Sequence, residues 1–218
     1  MPYIVAGQKR VELTPEDLLW AGRAAACEAG GNKAGVAAVL WAWASRLGVG
    51  SRDSYGDLIR AHSQPVNEAW RATGDACRPG GSWGARAPGN WYGLEPCSPE
   101  RLARRERCRS LTWDELAPVV KDAVLAFAAG KLPNPVPRVV DFADTTVTAK
   151  AGLVLAKQIG GNLFYTNAAS RAWPAKHVRV VGDDGSMASD AAAGAAGALG
   201  AALGLAAAYA AYRAWRSR

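Results

Sequence analysis

What this chain has little of narrows it before any motif is read. Of its 218 residues only two are His and four are Cys. Cys77, Cys97 and Cys108 together with His62 fit none of the common zinc-ligand spacings, so no metal and no cofactor is expected. There is no base-reading motif and no basic groove interleaved with aromatics, which sets nucleic acid aside as a partner. The formal charge is nevertheless +7, from 26 Lys and Arg against 19 Asp and Glu. That balance favours another anionic partner, a wall polymer or a membrane surface. No secretory signal opens the chain: residues 1–13 are too short and too polar. Ser63 stands beside His62, but neighbours on one turn point apart and no acid is placed to orient the ring, so a nucleophilic pair is not expected.

What is present centres on Trp20–Arg46, WAGRAAACEAGGNKAGVAAVLWAWASR. The pattern predicts two helices joined at Gly30-Gly31-Asn32, where glycines let the chain turn with positive φ. Glu28 falls at the end of the first helix. Its Ala-rich surroundings disfavour the charged carboxylate, which suits a proton donor; the alternative is a carboxylate that only satisfies backbone donors at the glycine turn. Cys27, next to it, is expected to be a small buried hydrophobe.

Start signals are clear along the first third. Thr14-Pro15-Glu16-Asp17 opens helix one, with Leu18, Leu19 and Ala25 on its apolar face. Asn32 caps helix two, which carries Val36, Val39, Leu40, Trp43 and Leu47 at helical spacing. Ser54 caps a short helix with Tyr55, Leu58 and Ile59 inward, and 62–67 forms a turn because Pro65 disfavours helix at Gln64.

The Gly-, Pro- and Trp-rich stretch 78–96 reads as a long surface loop carrying Trp83, Trp91 and Tyr92, closed by a candidate Cys77–Cys97 disulfide in an oxidising compartment. Nine Trp are many for this length; most serve as core, and some are free to stack on sugar rings. Pro99 to about Arg109 is an Arg-rich helix. Thr112-Trp113-Asp114-Glu115 reads as a capping box opening a helix to about Ala129. Val139–Ala143, Asn162–Thr166 and Val178–Val181 read as short strands, and Thr146–Ile159 as a further helix stopped by Gly160-Gly161.

Composition changes after the polar break at Gly182–Ser186. Residues 191–212 carry no charge and are nearly all Ala, Gly and Leu. As helix they would span about 33 Å against roughly 30 Å of hydrocarbon. Tyr209, Tyr212 and Trp215 supply an aromatic belt, and Arg213, Arg216 and Arg218 a basic end. The expected organisation is a domain over 1–182, a linker at 183–190, a membrane helix at 191–212 and a basic tail at 213–218.

Glu28, the turn at 62–67 and a late tyrosine segment together point to glycan cleavage, which needs a protonated acid at the leaving oxygen and polar groups to hold the sugar. Asp53 and Asp57 are candidate second carboxylates, though one acid suffices when the substrate's own hydroxyl attacks. Three segments, AACEAGGNKAGVAAVLWAWASR (25–46), SQPVNEAW (63–70) and AVLAFAAGKLPNPVPRVVDF (123–142) with IGGNLFY (159–165), resemble in order those of the SleB-type, spore-cortex-lytic family of cell-wall hydrolases. The resemblance implies a mainly α (α+β) fold, lysozyme-like, with a few short strands. It implies cleavage of the MurNAc–GlcNAc bond of peptidoglycan by lytic transglycosylase chemistry, with Glu28 as the catalytic acid. Gln64 and Tyr165 match its motifs as substrate-holding residues; Asn67, Trp91 and Tyr92 are added to them as glycan contacts. Ser45 and Asn162 depart from the pattern, standing where the family often has Asn and His. The expected partners are peptidoglycan and, through the C-terminal helix, a lipid membrane facing the cell wall, as in a membrane complex or a bacteriophage virion that opens the wall. The alternative is a non-catalytic glycan-binding or structural piece of such an assembly.

Overall fold

The computed structural model describes residues 1–67, 99–145, 151–174 and 176–189. Two short strands, β1 (Tyr3–Ala6) and β2 (Lys9–Glu12), open the chain. They are followed by α1 (Pro15–Ala29), α2 (Lys33–Leu47) and α3 (Tyr55–His62), with a single 3-10 turn at Gln64–Val66. The later elements are α4 (Pro99–Ser110), α5 (Pro118–Ala128), β3 (Asp141–Asp144), β4 (Val154–Ile159), β5 (Asn162–Thr166), α6 (Ala168–Arg171), β6 (Val178–Val181) and β7 (Met187–Ser189). The fold is α+β.

The strands form two antiparallel sheets, one ordered β2-β1-β6-β7 and one ordered β3-β5-β4. The first joins the chain's opening to its later part: Ile4 pairs with Val11 on one side and with Val180 on the other. Neither the opening hairpin nor β7 is expected from the sequence. Met187–Ser189 pair with β6, so part of the expected linker 183–190 belongs to a sheet.

α2 runs through the middle of the helical layer. It is apolar on nearly all sides, as a fully surrounded helix must be: Val36, Val39, Leu40, Trp41 and Leu47 are all without exposed surface. Trp41 packs edge-on to Phe127 of α5 and donates its indole N–H to the Leu132 carbonyl at 3.2 Å. Tyr55 stacks on the same Phe127 and donates its hydroxyl to the Leu40 carbonyl at 2.7 Å. Trp41 and Tyr55 thus bury their apolar bodies while their polar atoms are bonded. In the last turn of α2, Arg46 forms a largely buried ion pair with Asp141 at 3.1 Å that ties the helix to β3.

One carboxylate fastens α1 to α3. Asp17 accepts from the Thr14 N–H and hydroxyl at 2.9 and 2.7 Å, and also from the Ser54 hydroxyl at 2.9 Å and the Gly56 N–H at 2.7 Å. It completes the capping box of one helix and anchors the start of another. A Cβ at Gly56 would sit 2.7 Å from the Asp17 oxygen, so only glycine allows that approach.

Three sequence expectations are corrected. Val154–Ile159 is a strand, not a helix. It pairs with β5 from Ile159↔Asn162 onward, and the two-residue turn has Gly160 at φ +60°. Hydrogen bonds to β5 outweigh the weak helical pattern, because tight hairpins need a glycine there. The Thr112–Glu115 pair does form, with Glu115 accepting from the Thr112 N–H and hydroxyl, both at 2.7 Å. It closes only a turn, since Pro118 disfavours helix at Ala117 and the helix begins after it. Cys27 is not a free buried thiol but is bonded to Cys108 of α4.

Among the described residues no helix is long and apolar enough to cross a membrane. The expected span 191–212 and tail 213–218 lie outside those residues, as do Cys77, Cys97, Trp83, Trp91 and Tyr92.

Replacing Asp17 by Ala strands the Gly56 N–H and unties α1 from α3. Denaturant unfolding should show a loss of roughly 2–4 kcal/mol; a loss under about 1 kcal/mol would mean that the Ser54 and Gly56 hydrogen bonds to Asp17 are not what joins the helices.

Candidate active site

Glu28 lies in the last turn of α1. The helix closes at Gly30, whose φ of +58° gives the chain its exit and whose N–H donates to the Ala26 carbonyl at 3.0 Å. Two residues on, the Asn32 side chain accepts from the Gly35 N–H at 2.9 Å and starts α2. The joint is therefore fixed by a positive-φ glycine on one side and an N-cap on the other.

Three further elements converge on this joint. From the 3-10 turn, Ser63 donates its hydroxyl to Glu28 Oε1 at 2.9 Å, and the backbone N–H of Gln64 reaches the same carboxyl. From the tip of the β4–β5 hairpin, Asn162 donates its side-chain amide to the Glu28 carbonyl at 3.0 Å. From α4, Arg104 and Arg105 approach closely enough to act on the carboxyl by charge.

Burial is the largest influence on Glu28 and raises its pKa from an ordinary 4.5 to about 7. The hydrogen bond from Ser63, the charge of Arg104, the Gln64 N–H and the charge of Arg105 each pull it down, without overcoming burial. The partial negative charge at the C-terminal end of α1 acts in the same direction as burial. A carboxyl so placed holds its proton about half the time at pH 7, with a hydroxyl and an N–H steadying it when the proton is gone.

The other expected site residues divide. Gln64 is half-buried and lies at the acid. Asn67 does not face a ligand: it is 1 % exposed and donates to the Ala61 carbonyl at 2.8 Å, holding the end of α3. Tyr165 is 3 % exposed and sits in the central strand of its sheet, between Asp141 and Leu155, which gives it a structural place. Asp53 pairs with Lys9 at 3.5 Å and Asp57 with Arg60, and among the described residues no carboxylate belongs to the groups that act on Glu28. Among the described residues no three His, Cys, Asp or Glu side chains gather as a metal site would require.

Ser63, Asn162, Arg104 and Arg105 were not expected to partner Glu28. They lie 35 to 134 residues from it in the chain for the two with hydrogen bonds, and no local pattern carries such a contact. A proton donor held at the meeting point of two helices, a turn and a hairpin can protonate a leaving oxygen and later take a proton back.

No protein-family model matches this chain, and no curated protein or solved structure matches it.

The raised Glu28 has a stability consequence with a definite sign. The folded state keeps a proton that the unfolded chain releases above about 4.5, so stability falls as pH rises from there to about 7 and is level beyond. Glu28→Gln keeps an acceptor for Ser63 without the charge. At about pH 8 it should be more stable than wild type by on the order of 1–3 kcal/mol, and the gap should close below about pH 4. Urea unfolding across that range measures it; a gap independent of pH would contradict the raised value.

Proposed function

We propose that this chain is a peptidoglycan-cleaving enzyme, a lytic transglycosylase with Glu28 as its single catalytic carboxyl. The observation that carries the reading is the placement of Glu28, a carboxyl whose pKa burial raises to about 7, at a joint of helices and a small antiparallel sheet. That arrangement supports a lysozyme-like domain, in which a helical body and a strand lobe flank the acid.

The protonated Glu28 donates to the glycosidic oxygen between MurNAc and GlcNAc. As the bond to C1 breaks, the resulting carboxylate takes the proton of the sugar's own 6-hydroxyl, whose oxygen closes on C1. The product is a 1,6-anhydro sugar, no water enters, and the acid ends protonated as it began. A second carboxylate is not required by this route. Gln64, beside the acid, is the side chain we assign to holding the sugar. Ser63 and the Gln64 N–H stabilise the carboxylate formed midway.

The reading places the enzyme at the wall, anchored through 191–212 and delivered as part of a membrane or virion assembly. The charge of +7 supports attraction to an anionic wall polymer.

Purified sacculi digested by the full chain should release anhydro-muropeptides, and Glu28→Gln should lower that release by at least about a hundredfold. Because the resting acid must be protonated, kcat/KM should fall as pH rises through about 7. Products with reducing ends would make it a hydrolase. Binding to sacculi with no release by wild type would leave a non-catalytic glycan-binding module.

A further inference from the structure

The cysteine pair sits where it bears on the acid. Cys27 immediately precedes Glu28 on α1, and its partner Cys108 lies 81 residues further along on α4. α4 reads PERLARRERCRS, with five Arg and two Glu. Of its side chains that the structure describes, only Arg105 and Cys108 are buried. A helix that polar gains little by hydrophobic burial. Specific links must hold it in place.

Several such links are seen among the described residues. The disulfide joins it to α1, Arg109 donates to the Val66 carbonyl at 2.6 Å and lies over the Trp20 ring of α1, and Arg104 lies 3.5 Å from the Cys27 carbonyl. Both hydrogen-bonding groups keep some solvent exposure and exchange readily with water. The covalent link does not exchange. Its loss removes the covalent tie between α4 and the turn of α1 that carries Glu28, and leaves exchangeable contacts to keep Arg104 and Arg105 beside the carboxyl. α4 also packs on the Gln64–Val66 turn, next to the Ser63 and Gln64 donors.

We propose that the Cys27–Cys108 disulfide is a redox latch on the acid site: oxidised, it seats the arginine helix α4 beside Glu28, and reduced, it releases α4 and leaves the site incomplete. The chain is then fully assembled only where thiols are oxidised, as on the wall side of a membrane, and held back where they are reduced. A dithiol reductant opens the latch. One of its thiolates attacks the sulfur of Cys27, the Sγ–Sγ bond breaks, and Cys108 leaves as a thiolate that takes up a proton. The reductant's second thiol then displaces Cys27. Two electrons and two protons pass to the protein, which ends with two thiols, and the reductant ends as a disulfide. Attack falls on Cys27 because it keeps part of its surface, whereas Cys108 is only 3 % exposed.

The structural part of this inference stands without the proposed activity; only its effect on turnover rests on Glu28 as the acid. Amide hydrogen exchange on the full chain, oxidised and after dithiothreitol, separates the two. Exchange across 99–110 should rise by at least about tenfold on reduction while α2 keeps its protection, and wall release should fall in parallel and return on reoxidation. Cys27→Ser/Cys108→Ser should show the fast exchange without reductant and give no further response to it. Unchanged exchange at 99–110 overturns the latch. So does loss of protection throughout the fold, or a response to reductant that persists in the double variant. The expected exchange with no wall release in either redox state upholds the latch and overturns the enzymatic reading.

Discussion

A carboxyl group in the last turn of a helix is badly placed to carry charge, and the more so when packing removes part of its water, as it does for the half-buried Glu28. Glu28 is held in that position from several directions: the glycine joint after α1, the turn after α3, the hairpin tip and the arginine helix. Burial raises its pKa and two donors with two guanidinium groups lower it, and the balance comes out at about 7. Weaker burial would leave an ordinary carboxylate. Without the donors the ionised form would have nothing to meet it midway through a reaction. The working range of the group depends on both sets of contacts being present together.

Such a balance needs a rigid frame, and α2 provides it. Its side chains are enclosed by α5, by the aromatic pairs around Phe127 and by the Arg46–Asp141 pair towards β3. α1 is then fastened to α3 through Asp17. Both ends of the Glu28 joint are consequently referenced to the same core, and the 3-10 turn and the β4–β5 hairpin are brought to it as fixed pieces. The disulfide adds α4, whose described side chains give little apolar surface for docking by burial.

Where chemistry acts over three or four residues, the sequence is a reliable guide. Thr14, Asn32 and Ser54 each cap the helix expected of them, and each side chain accepts from the N–H three positions on. The acid's position at the end of α1 follows from the same local signals, while its raised pKa needs the burial that only the folded chain supplies. Long-range competition is where the reading fails. The pattern over 146–159 allows a helix until β5 is present to pair with residues 154–159. The Thr112–Glu115 pair is a sound cap that a following proline confines to a turn. Cys27 has nothing nearby to mark a partner 81 residues away. Asn67 and Tyr165 carry side chains suited to sugars, yet both are used to hold the fold, a distinction that only burial reveals.

The protonation state of one side chain supports everything said of the site, and it can be observed directly. Carboxyl carbon-13 chemical shifts of the full chain, followed through a pH titration, assign Glu28 by the signal missing from Glu28→Gln. The account predicts a midpoint at about 7. A midpoint near 4.5, the ordinary value for a solvated glutamate, would contradict it.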